Sequence, residues 1–152
     1  MKKALIYFAL FLFISLIGCS GNNLQVNKEG EMSLGSCFPL PNCVSSSAWF
    51  FYNHVDEFEL VIPEEKAWPI IIEIVNQTPR TEIVKADSFY VHAECRSRVF
   101  QFVDHLELLL HKQKGVISVR SSSAIAIFDF GVNYFRIYSL REQLIEKGVI
   151  ED

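Results

Sequence analysis

The chain has 152 residues, with 14 Lys and Arg against 18 Asp and Glu, and a formal charge of −4 at neutral pH. That balance argues against nucleic acid as a partner, because a phosphate backbone needs a basic footprint. The length suits one domain with one core and is too short for two.

In chain order, Met1, Lys2 and Lys3 form a positive tip, and Ala4 to Ile17 are almost wholly apolar. The run is too short for an ordinary helix across a hydrocarbon core of ~30 Å, but it has the length of a signal h-region. Leu16-Ile17-Gly18-Cys19 closes it with a small residue before a thiol that can take a thioether-linked diacylglycerol. Charge, length and terminal Cys together resemble a bacterial lipoprotein precursor. The resemblance implies a signal peptide over 1–18, lipid on Cys19, and a membrane-anchored position in the cell envelope. In a two-membrane organism that is the outer membrane facing the periplasm, since no Asp follows Cys19; otherwise it is the outer face of the plasma membrane. Removing the signal takes two lysines and moves the formal charge from −4 to −6.

Residues 19–36 continue as a polar, glycine-bearing stretch without hydrophobic period, read as a flexible tether carrying the lipidated Cys19. The folded part is expected over 37–152 as a single globular domain. In an oxidising compartment Cys37 and Cys43, close together around Pro39 and Pro41, are expected to form a disulfide, leaving Cys95 as a buried thiol. Phe38 to Tyr52 reads as irregular chain with aromatic plugs.

Glu64 to Gln77 has acids first and then a dense apolar set, and predicts a helix that Pro69 kinks or starts. From Arg80 the period becomes two, predicting strands at Thr81–Ala86, Phe89–Ser97, Phe102–Leu110 and Val116–Ser123. Asp87-Ser88 and Lys112 to Gly115 supply hairpin turns. Val91, Ala93 and Cys95 share one face of their strand, and Tyr90, His92, Glu94 and Arg96 the other. Asn133 to Lys147 places Ile137, Leu140 and Leu144 on one helical stripe, with Gly148 beyond its end. The expected fold is α+β, a two-layer domain with a four-stranded, mainly antiparallel sheet and an N-terminal and a C-terminal helix.

Charged and hydroxyl side chains recur through the strands: Glu94, Arg96 and Arg98, then Asp104 and Glu107, then Arg120 with Ser121 to Ser123, then Asp129, Asn133 and Arg136. Arginines leaving water need acids or a ligand anion beside them, so Glu94, Arg96, Asp104, Arg120, Asp129, Asn133 and Arg136 are expected to converge at one end or edge of the sheet. Such a cluster is either a face laced with ion pairs or a pocket for a small anionic ligand or a protein partner. These residues also resemble the uncharacterised family catalogued as domain of unknown function 1499. The resemblance is carried by Pro41-Asn42-Cys43-Val44-Ser45-Ser46, by Ala93-Glu94-x-Arg96-Ser97-Arg98 with Phe102-Val103-Asp104, and by Val119-Arg120-Ser121-x-Ser123 with Asp129-x-Gly131-Val132-Asn133-x-x-Arg136. It implies a shared α+β fold and polar constellation, and no reaction. The family usually has an aromatic where Cys95 stands, a second acid at His105 and often an Arg at Ala124.

For catalysis, His92 and Cys95 fall on opposite strand faces and should not meet. His54, His92, His105 and His111 lack metal-ligand spacing, and no nucleophile elbow surrounds the serines. No cofactor is expected. The reading is a lipid-anchored, non-catalytic binding or structural module. The alternative is a hydrolase using Ser121 or Ser123 in the same cluster, or Ser46 with Asp129.

Overall fold

A computed structural model of the chain describes residues 23–125 and 129–152. The expected signal peptide and Cys19 lie outside the described residues. Among the described residues no helix is long and apolar enough to cross a membrane.

Among the described residues eight strands and two helices follow one another: β1 (Leu24–Val26), β2 (Met32–Leu34), β3 (Cys43–Ser45), β4 (Phe58–Glu59), α1 (Glu64–Gln77), β5 (Thr81–Ala86), β6 (Tyr90–Arg96), β7 (Val103–His111), β8 (Val116–Ser123) and α2 (Val132–Glu146). Strands β5 to β8 form an antiparallel meander, and β3 and β4 both pair with the outer side of β8. β3 takes the Arg120–Ser122 half and β4 the Val116–Ile117 half.

This corrects the expected architecture. The main sheet has six strands rather than four, a further two-stranded sheet precedes it, and α1 follows four strands instead of opening the domain. The physical reason is the length of the added strands, two or three residues each. So short a segment shows no side-chain period; backbone pairing with an existing edge makes it a strand.

One face of the sheet carries Val91, Ala93, Leu106, Leu108, Leu110, Ile117 and Val119, and packs on Trp68, Ile71 and Val75 of α1 and on Ile137, Leu140 and Leu144 of α2. α1 begins after Pro63 with Glu64 and Glu65 in its first turn, where the helix dipole favours acids, and it runs through Pro69. The apolar stripe burying Trp68, Ile71, Ile74 and Val75 outweighs the hydrogen bond that Pro69 cannot donate. α2 stops where Gly148 takes φ +64°, a C′ conformation glycine adopts without a Cβ penalty. At the β5–β6 turn the Asp87 carboxylate accepts from the N–H groups of Phe89 and Tyr90.

The opposite face is also covered. β1 and β2 form a hairpin laid over it, with Leu34 packed on Tyr90 and Leu109. The stretch read as tether therefore belongs to the fold from Asn23 onward. Its polar sequence hides this because only Leu24, Met32 and Leu34 face the sheet. The bridge between Cys37 and Cys43 is present, with Cα atoms 5.7 Å apart, and Cys95 is buried. Closing so short a loop contributes about 2.4 kcal/mol in the chain-entropy account. The segment after it is not a set of aromatic plugs: Trp49 and Phe51 are 91% and 89% exposed.

Candidate functional site

Sheet register divides the polar constellation in two. Asp104 stands opposite Ser123, and Leu106 opposite Ser121, so Asp104, Ser121 and Ser123 share the helix-covered face. Glu107 stands opposite Arg120 and His105 opposite Ser122, on the hairpin-covered face.

On the helix side, α2 supplies Asn133 and Arg136 one turn apart. Arg136 donates through Nη2 to Asp104 Oδ2 at 2.6 Å, and through Nη1 to Ser121 Oγ at 2.8 Å and Asn133 Oδ1 at 2.6 Å. Asn133 is fully buried. Its Nδ2 reaches Asp129 Oδ2 at 2.7 Å, Ser123 Oγ at 3.0 Å and the Asn42 carbonyl at 3.0 Å, and its Oδ1 also accepts from Ser121 Oγ. Asp129 caps the helix entrance by accepting from the backbone N–H groups of Gly131 and Asn133. One buried side chain thus fastens β8, α2 and the 37–43 loop together. Beside it, Pro41, Val44, Tyr52, Asp129 and Tyr134 line a small cavity of about 140 Å³.

On the hairpin side the centre is Glu107, fully buried within the apolar run Leu106 to Leu110. It accepts from Tyr90 Oη at 2.7 Å, from the Asn23 backbone N–H at 2.8 Å and from Arg120 Nη1 at 2.9 Å. Arg120 also donates to Ser122 Oγ, while its Nε has no acceptor among the described residues. Burial on its own would raise the Glu107 pKa; the hydrogen bonds from Tyr90, Asn23 and Arg120 and the Arg120 charge override it and hold the carboxyl below its ordinary range. Burial, and then Glu107 itself, push the Tyr90 phenol far up. Next to this group His92 Nε2 and His105 Nδ1 lie 3.0 Å apart, both buried, and burial followed by the His92 neighbour lowers the His105 pKa.

Glu94, Arg96 and Arg98 join neither cluster. Arg96 pairs with Glu94 at 2.9 Å near the surface, and Arg98 is exposed on the β6–β7 loop. The expected single convergence is therefore corrected: Asp104, Asp129, Asn133 and Arg136 meet with Ser121 and Ser123, whereas Arg120, Glu94 and Arg96 lie on the other face. Arg120 and Ser121 are adjacent in sequence and so point to opposite sides of β8, as strand geometry requires. Tyr90, Asn23 and the His92–His105 contact fall outside the site expected from sequence, and Glu107, one of the recurring charges, falls outside the set expected to converge. One signal was available for Glu107, a lone carboxylate inside a run of leucines.

Chemically, both buried guanidiniums already hold carboxylates. Ser121 and Ser123 bond to Asn133, and Ser121 also to Arg136, with no histidine base on either hydroxyl. His92 and Cys95 face opposite ways, as alternation requires; Cys95 Sγ instead meets Thr81 Oγ1. Among the described residues no group of three or more His, Cys, Asp or Glu side chains could hold a metal ion.

Acid should loosen this assembly. A lowered His105 pKa means the folded state favours the neutral ring, so its contribution is complete above about 6.5 and declines as pH falls from there. Glu107, also lowered, adds a second loss below its unfolded value of about 4.5. Thermal melts from pH 7.5 to 4 should show the melting temperature dropping in both ranges. His105→Asn should remove the first drop and keep the second.

Comparisons with curated proteins and with solved structures return no significant match. The family described as protein of unknown function (DUF1499) matches residues 33–144. That span runs from within β2 through nearly all of α2 and contains the polar side chains of both clusters except Asn23, so the chain belongs to the DUF1499 family.

Proposed function

We propose that the protein is an envelope lipoprotein, released from the signal over 1–18 and held in the membrane by lipid on Cys19, whose domain serves as a non-catalytic binding or structural module. Support for the anchor comes from the positive tip, the apolar run and Leu-Ile-Gly-Cys. The observation that favours a non-catalytic domain is closure of the polar cluster: Asp104, Ser121, Ser123, Asp129, Asn133 and Arg136 satisfy one another. A catalytic serine needs a base within hydrogen-bond reach, and an anion site needs an uncommitted fork. This cluster offers neither, and it works as a clamp that positions the α2 entrance.

Mass spectrometry of the protein extracted from membranes tests the anchor. The expected N-terminal peptide starts at Cys19 and carries a diacylglycerol mass, and Cys19→Ala should leave the precursor uncut on a denaturing gel. An unmodified Cys19 rejects the anchor. Turnover of a generic ester substrate, lost with Ser121→Ala or Ser123→Ala in a folded protein, rejects the non-catalytic reading.

A further inference from the structure

We propose that the end of the sheet carrying Phe38, Val99, Phe100, Phe102, Ile125 and Phe135 rests in the lipid headgroup layer of the membrane that holds the anchor, with Arg80 and Arg98 toward lipid phosphate. The inference rests on the anchor reading above and adds to it an orientation and a contact surface.

The surface comes from three parts of the fold brought to one end. The β6–β7 loop contributes Val99, Phe100 and Phe102, which are 76%, 74% and 51% exposed, with the rings of Phe100 and Phe102 stacked 5.4 Å apart. The end of β8 contributes Ile125 and the first turn of α2 contributes Phe135, 58% and 65% exposed. Phe38, 72% exposed, joins them on the 37–43 loop, which is tied to this end by Ser123 N–H to the Asn42 carbonyl and Asp129 N–H to the Pro41 carbonyl. Exposed apolar groups in such a concentration mark a protein or membrane contact.

Chain reach selects the membrane. β1 starts just after Asn23, whose N–H is bonded to Glu107 in the middle of β7, and runs away from the apolar end toward the β7–β8 turn, where Glu31 meets Lys114 at 3.2 Å. Four residue steps separate Asn23 from Cys19, a reach of at most ~14 Å. Along β7 the distance from Glu107 to Val103 is also about 14 Å at strand rise. Each headgroup layer is only about 5–8 Å deep. With so short a leash the domain cannot stand clear of the bilayer, and the end within its reach that carries exposed apolar side chains is the one suited to lie in it. Aromatic side chains lie favourably at that depth. Charge is compatible locally despite the negative total: Arg80 and Arg98 are exposed at this end, and Arg80 Nε donates to the Arg96 carbonyl.

The test uses the full lipoprotein in phosphatidylcholine vesicles with and without brominated acyl chains, in a Trp49→Phe background. Trp68 is buried beside the β5–β6 turn, donates to the Asp87 carbonyl and supplies a constant signal. Phe100→Trp reports on the proposed contact, and Val61→Trp, at an exposed position whose N–H donates to the Val149 carbonyl, reports on the far end. The expected result is strong bromine quenching for Phe100→Trp, several-fold beyond that for Val61→Trp, and persistence of the difference in high salt. A lipidated protein quenched equally at both positions, or at neither, overturns the inference and leaves the anchor intact. A blue-shifted but unquenched indole at position 100 places this end against protein, a second copy included, and also overturns it. A chain whose mass shows no lipid on Cys19 overturns the anchor reading and the inference together.

Discussion

Glu107→Ala is expected to cost the domain about 3–5 kcal/mol, read as a fall in the midpoint of chemical denaturation. Removing the carboxylate leaves the Arg120 guanidinium buried without its counter-charge and takes the Glu107 hydrogen bonds away from the Tyr90 hydroxyl and the Asn23 N–H. The Arg120 and Glu107 side chains are 3% and 0% exposed, so water cannot take over these bonds. Replacing both partners with apolar residues, Glu107→Leu with Arg120→Met, should recover much of the loss, because no charge then stays in the interior. The Asn23 bond adds a second readout. It pins the first described residue of the hairpin, so Glu107→Ala should also speed hydrogen exchange over 23–35 more than over β5. A variant as stable as the parent would show that the pair is solvated and would contradict the burial described above.

Asn133→Ala should destabilise by about 2–4 kcal/mol, because it removes several buried hydrogen bonds at once and a buried polar group left short of a partner costs about 1–3 kcal/mol. Ser123 and the Asn42 carbonyl lose a donor, and Ser121 loses an acceptor, at the point where β8, α2 and the 37–43 loop are joined. Melting temperature should drop by roughly 10 °C for a domain of this size. Arg136→Lys discriminates between scaffold and binding site. Lys keeps the charge but cannot reach Asp104, Ser121 and Asn133 with one planar fork. For a clamp, the melting temperature falls in Arg136→Lys. An unchanged melting temperature with loss of a saturable ligand shift would instead make this cluster a binding site.

Legibility of the site followed sequence distance. Asn133 and Arg136 are one helical turn apart, and Asp129 precedes the helix at capping distance, so that half of the cluster could be assembled from spacing alone. Arg120 could be placed beside Ser121 only along the chain. The fact that they serve opposite faces depended on β8 being a continuous strand, which the period of two already implied and the expectation of a single cluster overlooked.

What the sequence determined by itself is the local part of the structure. The span of α1, the strands β5 and β8, the two hairpin turns, the stripe of α2 with its glycine stop, and the Cys37–Cys43 bridge all follow from periodicity, capping and proximity, which act over a few residues. The tertiary structure alone decided the rest. It added β3 and β4 to the edge of β8, laid the β1–β2 hairpin over a face that alternation marks as polar, and set Glu107 opposite Arg120. Each is a matter of strand register or of pairing between distant segments. A shift of one residue in register would send Arg120 to the helix side and Ser121 to the hairpin side, and no local pattern in the chain encodes that choice.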